Sequence, residues 1–229
     1  MLILALDTTT RSGSVAIVAD GAIRYEAAGD ASRTHAQRLP GDLMRACDAA
    51  GVAIADVSLF AVAAGPGSFT GLRIGIATIQ GLAMAHERTV VPVSTLEALA
   101  AAAGAPRVAA WLDAQRGEVF AQVFEPADGP YRPLVDAISA SPDIVLARHA
   151  TVLSGAVFHG DGALRYRAEI TRALGEDVTV LDPVRPLAGA IGLIAARQPH
   201  RAVVPHAITP VYVRRPDAEL ARDRRTGRS

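Results

Sequence analysis

Short apolar runs alternate with amphipathic segments along the first half of the chain. The run 2–6 is apolar throughout, which is typical of a strand that is buried on both faces. Apolar residues at helical spacing, such as Leu39 and Leu43, predict a helix that stops at Gly51. In chain order, this half is predicted to contain strands 2–6, 12–19 and 22–28, helix 35–50, strand 59–64, a helix ending near 85, strand 90–93 and a helix that follows residue 94.

The second half of the chain repeats this alternation in a weaker form. Strands interleaved with helices in both halves predict an α/β fold in two parts. We expect an N-terminal lobe at 1–104, a C-terminal lobe at 105–213 and a basic tail at 214–229. The elements predicted for the second half are strands 107–112 and 118–124, helix 142–148, strand 152–158, helix 163–174, strand 178–181 and helix 186–197.

Composition excludes several kinds of chemistry. The 229-residue chain contains no lysine, so all 23 basic residues are arginine. A Walker A phosphate loop and a lysine Schiff base are therefore excluded. The single cysteine, Cys47, excludes a disulfide framework and a cysteine-rich zinc site. Hydrophobic residues make up 50% of the chain, which argues against disorder.

Hydropathy and charge at the two ends predict where the protein works. The N-terminal apolar run has no basic lead-in, Asp7 interrupts it, and no apolar run is long enough to span a membrane. We therefore expect a cytoplasmic protein without membrane contact. The formal net charge is zero, but the tail at 214–229 carries six arginines against three acids. We interpret this tail as a solvated terminus, with an RNA-contacting tail as the alternative.

A hydroxyl-rich turn and a glycine-rich turn follow two of the predicted strands. Asp7 is followed by three threonines, an arrangement that fits either a phosphate site or a simple local turn. The run 65–75 places glycines at the start of a helix, which fits either an anion site or a tight turn with a helix cap. Asp113 takes the position of Asp7 in the second half. The candidate residues of a degenerate phosphate site are Asp7, Thr8, Thr9, Gly67, Ser68 and Asp113.

The helix predicted after the glycine-rich turn is apolar on nearly all sides. Its clearly polar residues after Leu72 are only Arg73, Thr78 and Gln80. A helix of this kind is buried on nearly all sides, either by its own chain or by a second protein. Gly71 and Gly75 would allow a neighbouring helix to approach closely. We therefore predict a helix–helix interface here, with a core helix of the same chain as the alternative.

Six motifs along the chain are shared with one known family: Asp7 to Thr9, Thr34 to Leu39, Gly65 to Gly75, Val93 to Leu96, Asp113 to Phe120 and Pro210 to Arg214. Through them the chain resembles the TsaB family, bacterial proteins of tRNA threonylcarbamoyladenosine biosynthesis. The resemblance covers nearly the whole chain and thins between about 125 and 205. The glycine-rich run is its most specific part.

The resemblance implies a fold and a role. The fold is that of the actin-like, sugar-kinase-like and Hsp70-like ATPases, in which two RNase H-like lobes each contain a mixed sheet flanked by helices. The role is that of a non-catalytic dimerisation and activating subunit. Its partner is a paralogue, TsaD, which transfers the threonylcarbamoyl group to adenosine 37 of tRNAs that read codons beginning with A. A small ATPase, TsaE, joins this complex.

The resemblance also implies which functional parts this chain lacks. The paralogue binds a metal through two histidines on its first helix, whereas here His35 is followed four residues later by Leu39. We therefore expect no metal, no catalytic residue and no cofactor in this chain, with ATP and magnesium belonging to the complex. We expect tRNA to be reached through the complex, and a homodimer when the partner is absent. The partner interface implied for the first two helices comprises His35, Leu39, Leu43, Gly71, Leu72, Gly75, Ile76, Ile79 and Leu82.

An enzymatic alternative stays open for the same fold. A small-molecule kinase or ATPase would use Asp7 and Asp113 on either side of a nucleotide. A peptidase is disfavoured, because the sequence shows no nucleophile elbow and no pair of histidines at metal-binding spacing.

Overall fold

The first sheet is built from the apolar runs of the N-terminal half. In the computed structural model, which describes residues 1–127 and 131–214, two antiparallel pairs and two parallel pairs form this sheet in the order β3-β2-β1-β4-β5. Apart from Arg214, the predicted basic tail lies outside the described residues. The strands are β1 (Leu2–Asp7), β2 (Ser14–Ala19), β3 (Ala22–Ala28), β4 (Leu59–Gly65) and β5 (Val90–Ser94).

Helices cover both faces of the first sheet, which explains why its central strands are apolar without interruption. Along β1, Leu4 and Leu6 point into a core shared with the first two helices. The alternate residues Ile3 and Ala5 point into a second core on the other face. The helices of this half are α1 (His35–Ala50), α2 (Phe69–Ala85) and α3 (Thr95–Ala103), of which α3 lies on the second face.

The second sheet is smaller and also mixed. Its order is β10-β6-β7-β8, with β9 paired to β7, and only β10 runs parallel to its neighbour. Trp111 and Phe158 meet edge to face in the core on one side of this sheet. The elements are β6 (Val108–Gln115), β7 (Glu118–Pro126), β8 (Tyr131–Pro133), β9 (Ile138–Ala140), α4 (Pro142–Leu153), β10 (Val157–His159), α5 (Asp161–Arg165), α6 (Arg167–Leu174) and α7 (Ala188–Arg197). Two mixed sheets flanked by helices confirm the predicted fold class.

Several elements of the second half differ from the prediction. The predicted helix 163–174 is divided into α5 and α6. The strand predicted at 152–158 is shorter, because α4 continues through Leu153 and β10 covers only the last part. The segment 178–181 makes a single bridge between Val180 and Phe158 instead of a strand. The short strands β8 and β9 have no counterpart in the prediction.

The last helix, α7, packs on the first sheet rather than on the second. Ile191, Ile194 and neighbouring residues of α7 are buried in the core that also contains β1 and β2. The predicted C-terminal lobe at 105–213 includes this segment, but after α6 the chain returns to the first sheet.

Side chains of the first sheet accept hydrogen bonds from the backbone amides at the start of α7, which have no partner within the helix. Ser14 Oγ accepts hydrogen bonds from the backbone amides of Leu187 and Ala188, at 3.1 and 2.9 Å. Glu26 accepts one from the amide of Gly189 at 2.6 Å, and burial raises the pKa of its carboxyl. The first turn of α7 is thus capped by residues more than 160 positions earlier in the chain.

Replacing Ser14 with alanine is expected to loosen α7 from the first sheet. Ser14 is only 2% exposed, so the two amides would lose their acceptor where water has little access. We expect the free energy of unfolding to fall by about 1–3 kcal/mol. Chemical denaturation followed by far-UV circular dichroism measures this, with Ser12→Ala as control because its side chain is not part of this cap. Equal stability of the two variants would contradict the role of Ser14.

Candidate functional site

A cleft of about 960 Å³ lies where the β1–β2 turn, the start of α2 and the β6–β7 turn come together. Four of the six predicted phosphate-site residues line it: Thr9, Gly67, Ser68 and Asp113. Asp7 lines a smaller neighbouring cavity of about 280 Å³ instead. The structure therefore brings most of the predicted residues to one place, with the carboxyl of Asp7 beneath them.

The Asp7 carboxyl is committed to its own turn. It is 1% exposed, and Oδ1 accepts hydrogen bonds from the Thr9 amide and hydroxyl at 2.8 and 2.5 Å. Oδ2 accepts one from the Thr10 hydroxyl at 3.0 Å. Burial raises the pKa of Asp7, and the hydrogen bonds from Thr9 and Thr10 oppose that rise. These contacts favour the local turn over the phosphate site, the two alternatives that the sequence left open.

Asp113 forms an ion pair with Arg165, a residue far along the chain. Its Oδ2 accepts a hydrogen bond from Arg165 at 2.7 Å, and Gln115 donates to both of its carboxylate oxygens. Its backbone amide donates to Asp161 Oδ1 at 2.9 Å, and burial raises the pKa of Asp161. The carboxylates that a magnesium nucleotide would need are therefore engaged by the protein, so these residues do not fit the kinase alternative.

Ser68 caps α2, and Gly67 lies against the first turn of the chain. Ser68 Oγ accepts from the Gly71 amide at 3.2 Å, and the Ser68 amide donates to the Thr9 carbonyl at 3.0 Å. A Cβ atom on Gly67 would lie 2.5 Å from the Thr9 side chain, which leaves room for glycine alone. This geometry agrees with a tight turn followed by a helix cap.

Both ring nitrogens of His35 are engaged within the chain. Nε2 lies 3.1 Å from the Thr10 carbonyl, and Nδ1 lies 2.8 Å from the Arg38 guanidinium. Because the guanidinium can only donate, Nδ1 accepts and Nε2 donates, which leaves no lone pair for a metal. Burial lowers the pKa of His35, and the charge of Arg38 adds to this effect. Leu39, where a second histidine would be needed, is 3% exposed in the core. A metal therefore does not fit here.

Residues 1–127 and 131–214 contain neither a metal-binding cluster nor a membrane-spanning helix. Within these ranges, no group of three His, Cys, Asp or Glu side chains is arranged to hold a metal ion. No helix in the same ranges is both long and apolar enough to cross a membrane.

Most residues of the predicted partner interface are buried inside the chain itself. The close approach that Gly71 and Gly75 permit is made by Thr8, whose hydroxyl donates to the Gly71 carbonyl at 2.8 Å. A Cβ atom on Gly71 would lie 1.9 Å from the Thr8 carbonyl oxygen. His35 and Leu82 are half-buried, and the positions that face the chain's own core or this turn are Leu39, Leu43, Gly71, Leu72, Gly75, Ile76 and Ile79.

The opposite side of the same two helices is exposed and apolar. Met44 on α1 is 64% exposed and Met84 on α2 is 63% exposed, the highest values for large apolar side chains in the described part of the chain. Ala77 and Gly81 lie exposed on the same helix as Met84, and a Cβ atom on Gly81 would meet only open space. We call these four residues the helix-pair face.

Sequence reasoning missed two aromatic residues at the cleft. Phe69 begins α2, and Tyr212 lies in the segment that follows the last helix. The Val211 amide donates to the Ala64 carbonyl at 2.7 Å, and Arg214 donates to the Ala114 carbonyl at 2.9 Å. This segment thus joins β4 to β6 along one side of the cleft. Phe69 stood within the glycine-rich run, but only the fold shows which residue lies beside it.

Comparison with known proteins agrees with the resemblance drawn from the motifs. The family model of TsaD, tRNA N6-adenosine threonylcarbamoyltransferase, matches residues 29–146. The tRNA threonylcarbamoyladenosine biosynthesis protein TsaB of Escherichia coli is 41% identical over 126 residues, which make up 52% of this chain and 53% of that protein. The chain thus spans about half the length of the first curated relatives that it matches.

Two further matches cover more than nine tenths of this chain. TsaB of Bacillus subtilis is 27% identical over 239 residues, covering 96% of each protein. The solved structure of YeaZ from Pseudomonas aeruginosa has a TM-score of 0.79 and 33% identity, and it covers 92% of this chain and 99% of that one. The chain therefore belongs to the family of the TsaD model, and its matches to TsaB proteins and to YeaZ identify it as a TsaB member.

Proposed function

We propose that this chain is a non-catalytic dimerisation and activating subunit in the formation of N6-threonylcarbamoyladenosine at position 37 of tRNAs that read codons beginning with A. Its partner is a TsaD paralogue, bound through the helix-pair face, and a TsaE ATPase joins the same complex. The chain works in the cytoplasm and uses no cofactor of its own, because ATP and magnesium act elsewhere in the complex. Without its partner it forms a homodimer through the same face.

The helix-pair face is the observation that supports this proposal most strongly. Burying one methionine side chain contributes about 1.5–3 kcal/mol, so leaving Met44 and Met84 in water is unfavourable for a protein that works alone. Gly81, one turn before Met84 on α2, lets a facing helix approach closely, since its surroundings are open. A surface of this composition suits a second helix pair from a related protein.

The polar side chains near the cleft are hydrogen-bonded within the chain, which supports a role without catalysis. Asp7 is bound to its own turn, Asp113 is paired with Arg165, and both nitrogens of His35 have partners. Titratable groups that perform catalysis need a protonation state and an orientation that the substrate can reach. The contacts of these three residues stabilise the fold around the cleft instead.

Charged or bulky substitutions on the helix-pair face are expected to abolish partner binding. Met84→Asp places a charge in the interface, and Gly81→Arg blocks the approach of a facing helix. Both residues are exposed, so we expect both isolated variants to fold, with a small gain in stability for Gly81→Arg because arginine is a better helix former than glycine. The measurement is co-purification with the TsaD paralogue, followed by size-exclusion chromatography. We expect at least a tenfold loss of complex, about 1.4 kcal/mol or more.

Ile144→Asp is the matched control, because Ile144 is 56% exposed on α4, which belongs to the second sheet. This control should retain the partner. The role in modification is tested by depleting the protein in its host and measuring threonylcarbamoyladenosine in bulk tRNA. The depleted strain should lose the modification and regain it with the unmodified chain but not with Met84→Asp. Normal modification after depletion would refute the proposal.

A further inference from the structure

Phe69 and Tyr212 form an exposed aromatic pair at the mouth of the cleft, with no part in the proposed partner interface. Their ring centroids are 5.5 Å apart, and the two residues are 39% and 42% exposed. The guanidinium of Arg73 lies over the Phe69 ring, 4.0 Å from its centroid. Exposed rings beside a stacked guanidinium are suited to a flat π-system, which adds stacking and cation–π attraction to apolar burial.

Arginines that form no ion pair within the described ranges line the same cleft as this pair, although the charge of Asp30 acts on Arg33. Arg11 and Arg33 line the same cleft and are exposed to solvent. Their hydrogen bonds go to the carbonyls of Ala31 and Gln37, which leaves further donors for a ligand. Within the described ranges, no carboxylate lies within 4.0 Å of Arg11, Arg33 or Arg73.

The acids of the cleft do not offset these arginines. Asp113 forms its ion pair with Arg165 at 2.7 Å, so its charge is already compensated. Asp161 is half-buried, and its Oδ1 accepts a hydrogen bond from the backbone amide of Asp113 at 2.9 Å. The cleft mouth therefore combines positive charge with exposed aromatic rings, and its electrostatic complement is an anion that carries an aromatic group.

We propose that the cleft mouth binds single-stranded RNA, with an unpaired base on the Phe69–Tyr212 pair and backbone phosphates on Arg11 and Arg33. Proteins hold single strands with this combination of stacking rings and a positively charged groove. A protein partner is the weaker alternative, because the apolar surface suited to one lies on the helix-pair face. The inference deepens the proposed function, since it gives this subunit a direct contact with the RNA that the complex modifies.

The test uses the full isolated chain and a fluorescently labelled single-stranded oligoribonucleotide at low salt, with binding followed by anisotropy. Tyr212→Ala should weaken binding about tenfold, whereas Tyr212→Phe should bind as the unmodified chain does, because it keeps the ring. Arg11→Gln should weaken binding and lower the log–log salt slope by about 0.7. Arg148→Gln is its matched control, since Arg148 is an exposed arginine on α4 that does not line the cleft.

Three results would overturn the inference: no binding at low salt, equal affinity of Tyr212→Ala and the unmodified chain, or displacement of the oligonucleotide by ATP with magnesium, which would show a mononucleotide site. Fluorescence of the single tryptophan, Trp111, which is fully buried, checks that each variant is folded. If the unmodified chain binds the TsaD paralogue but no RNA, this inference alone is contradicted. If the unmodified chain binds RNA but not the paralogue, the proposed partner alone is contradicted.

Discussion

Gly71→Ala is expected to destabilise the protein by about 3 kcal/mol, although alanine is the better helix former. The added methyl group would lie 1.9 Å from the Thr8 carbonyl oxygen, a backbone atom that cannot rotate away. Either α2 or the end of β1 must shift, and the buried hydrogen bond from the Thr8 hydroxyl to the Gly71 carbonyl is then lost. Overpacking of this kind costs about 1–3 kcal/mol, and the lost bond adds about 1 kcal/mol.

Gly81→Ala supplies the matched control within the same helix. Nothing lies within 4 Å of a Cβ atom at this position, so the gain in helix propensity should stabilise the chain by about 1 kcal/mol. Chemical denaturation followed by far-UV circular dichroism measures both variants. If Gly71→Ala proved as stable as Gly81→Ala, the packing of Thr8 against α2 would be refuted.

The glycines of α2 show how far a sequence pattern can lead. Their spacing indicated a close approach, which the structure shows. The apolar sequence predicted burial on nearly all sides, whereas the chain buries one side of α2 and leaves Ala77, Gly81 and Met84 exposed. The approaching segment is the turn after β1, since Thr8 and Gly71 are 63 residues apart in the chain. A small side chain shows that something packs closely against it, but not what does so. The sequence therefore left the two alternatives open, and in the structure the segment that packs against Gly71 and Gly75 belongs to the same chain.

Elements fixed by local interactions could be predicted well. The helix predicted at 35–50 has those bounds in the structure, because the Gln37 side chain accepts a hydrogen bond from the Thr34 amide at 3.1 Å and Gly51 ends the helix with a φ of 66°. The buried strands β1, β2 and β4 of the first sheet were also predicted, since burial on both faces leaves a continuous apolar run. In contrast, β8 and β9 have three residues each and depend on pairing with β7, so no local pattern indicates them.

The same reasoning applies to the candidate site. The turn after Asp7 could be recognised because its hydrogen bonds join neighbouring residues. The pairing of Asp113 with Arg165 joins residues that are 52 positions apart, and the meeting of Phe69 with Tyr212 needs the whole fold. Whether a carboxylate can bind a ligand depends on such distant partners, which one sequence does not show.

Asp42→Ala is expected to destabilise the protein by about 3–5 kcal/mol through a charge left without a partner. Asp42 and Arg38 are 9% and 4% exposed, and Arg38 Nη1 donates to Asp42 Oδ2 at 2.5 Å. Arg38 also donates to the Ser12 carbonyl and to His35, so it cannot leave for solvent without breaking the contact between α1 and the turn before β2. Removing Asp42 therefore leaves the buried Arg38 guanidinium without its ion-pair partner.

A double substitution separates this buried charge from simple loss of packing. Arg38→Met with Asp42→Leu removes both charges while filling a similar volume, so it should recover at least half of the stability that Asp42→Ala loses. Arg45→Ala is the control, because Arg45 also contacts Asp42 but its side chain is 65% exposed, and its loss should change stability by less than about 1 kcal/mol. Denaturation of the double variant, of Arg45→Ala and of Asp42→Ala gives the comparison. If the double variant were as unstable as Asp42→Ala, the cost would arise from packing around α1, and the uncompensated charge would not be its cause.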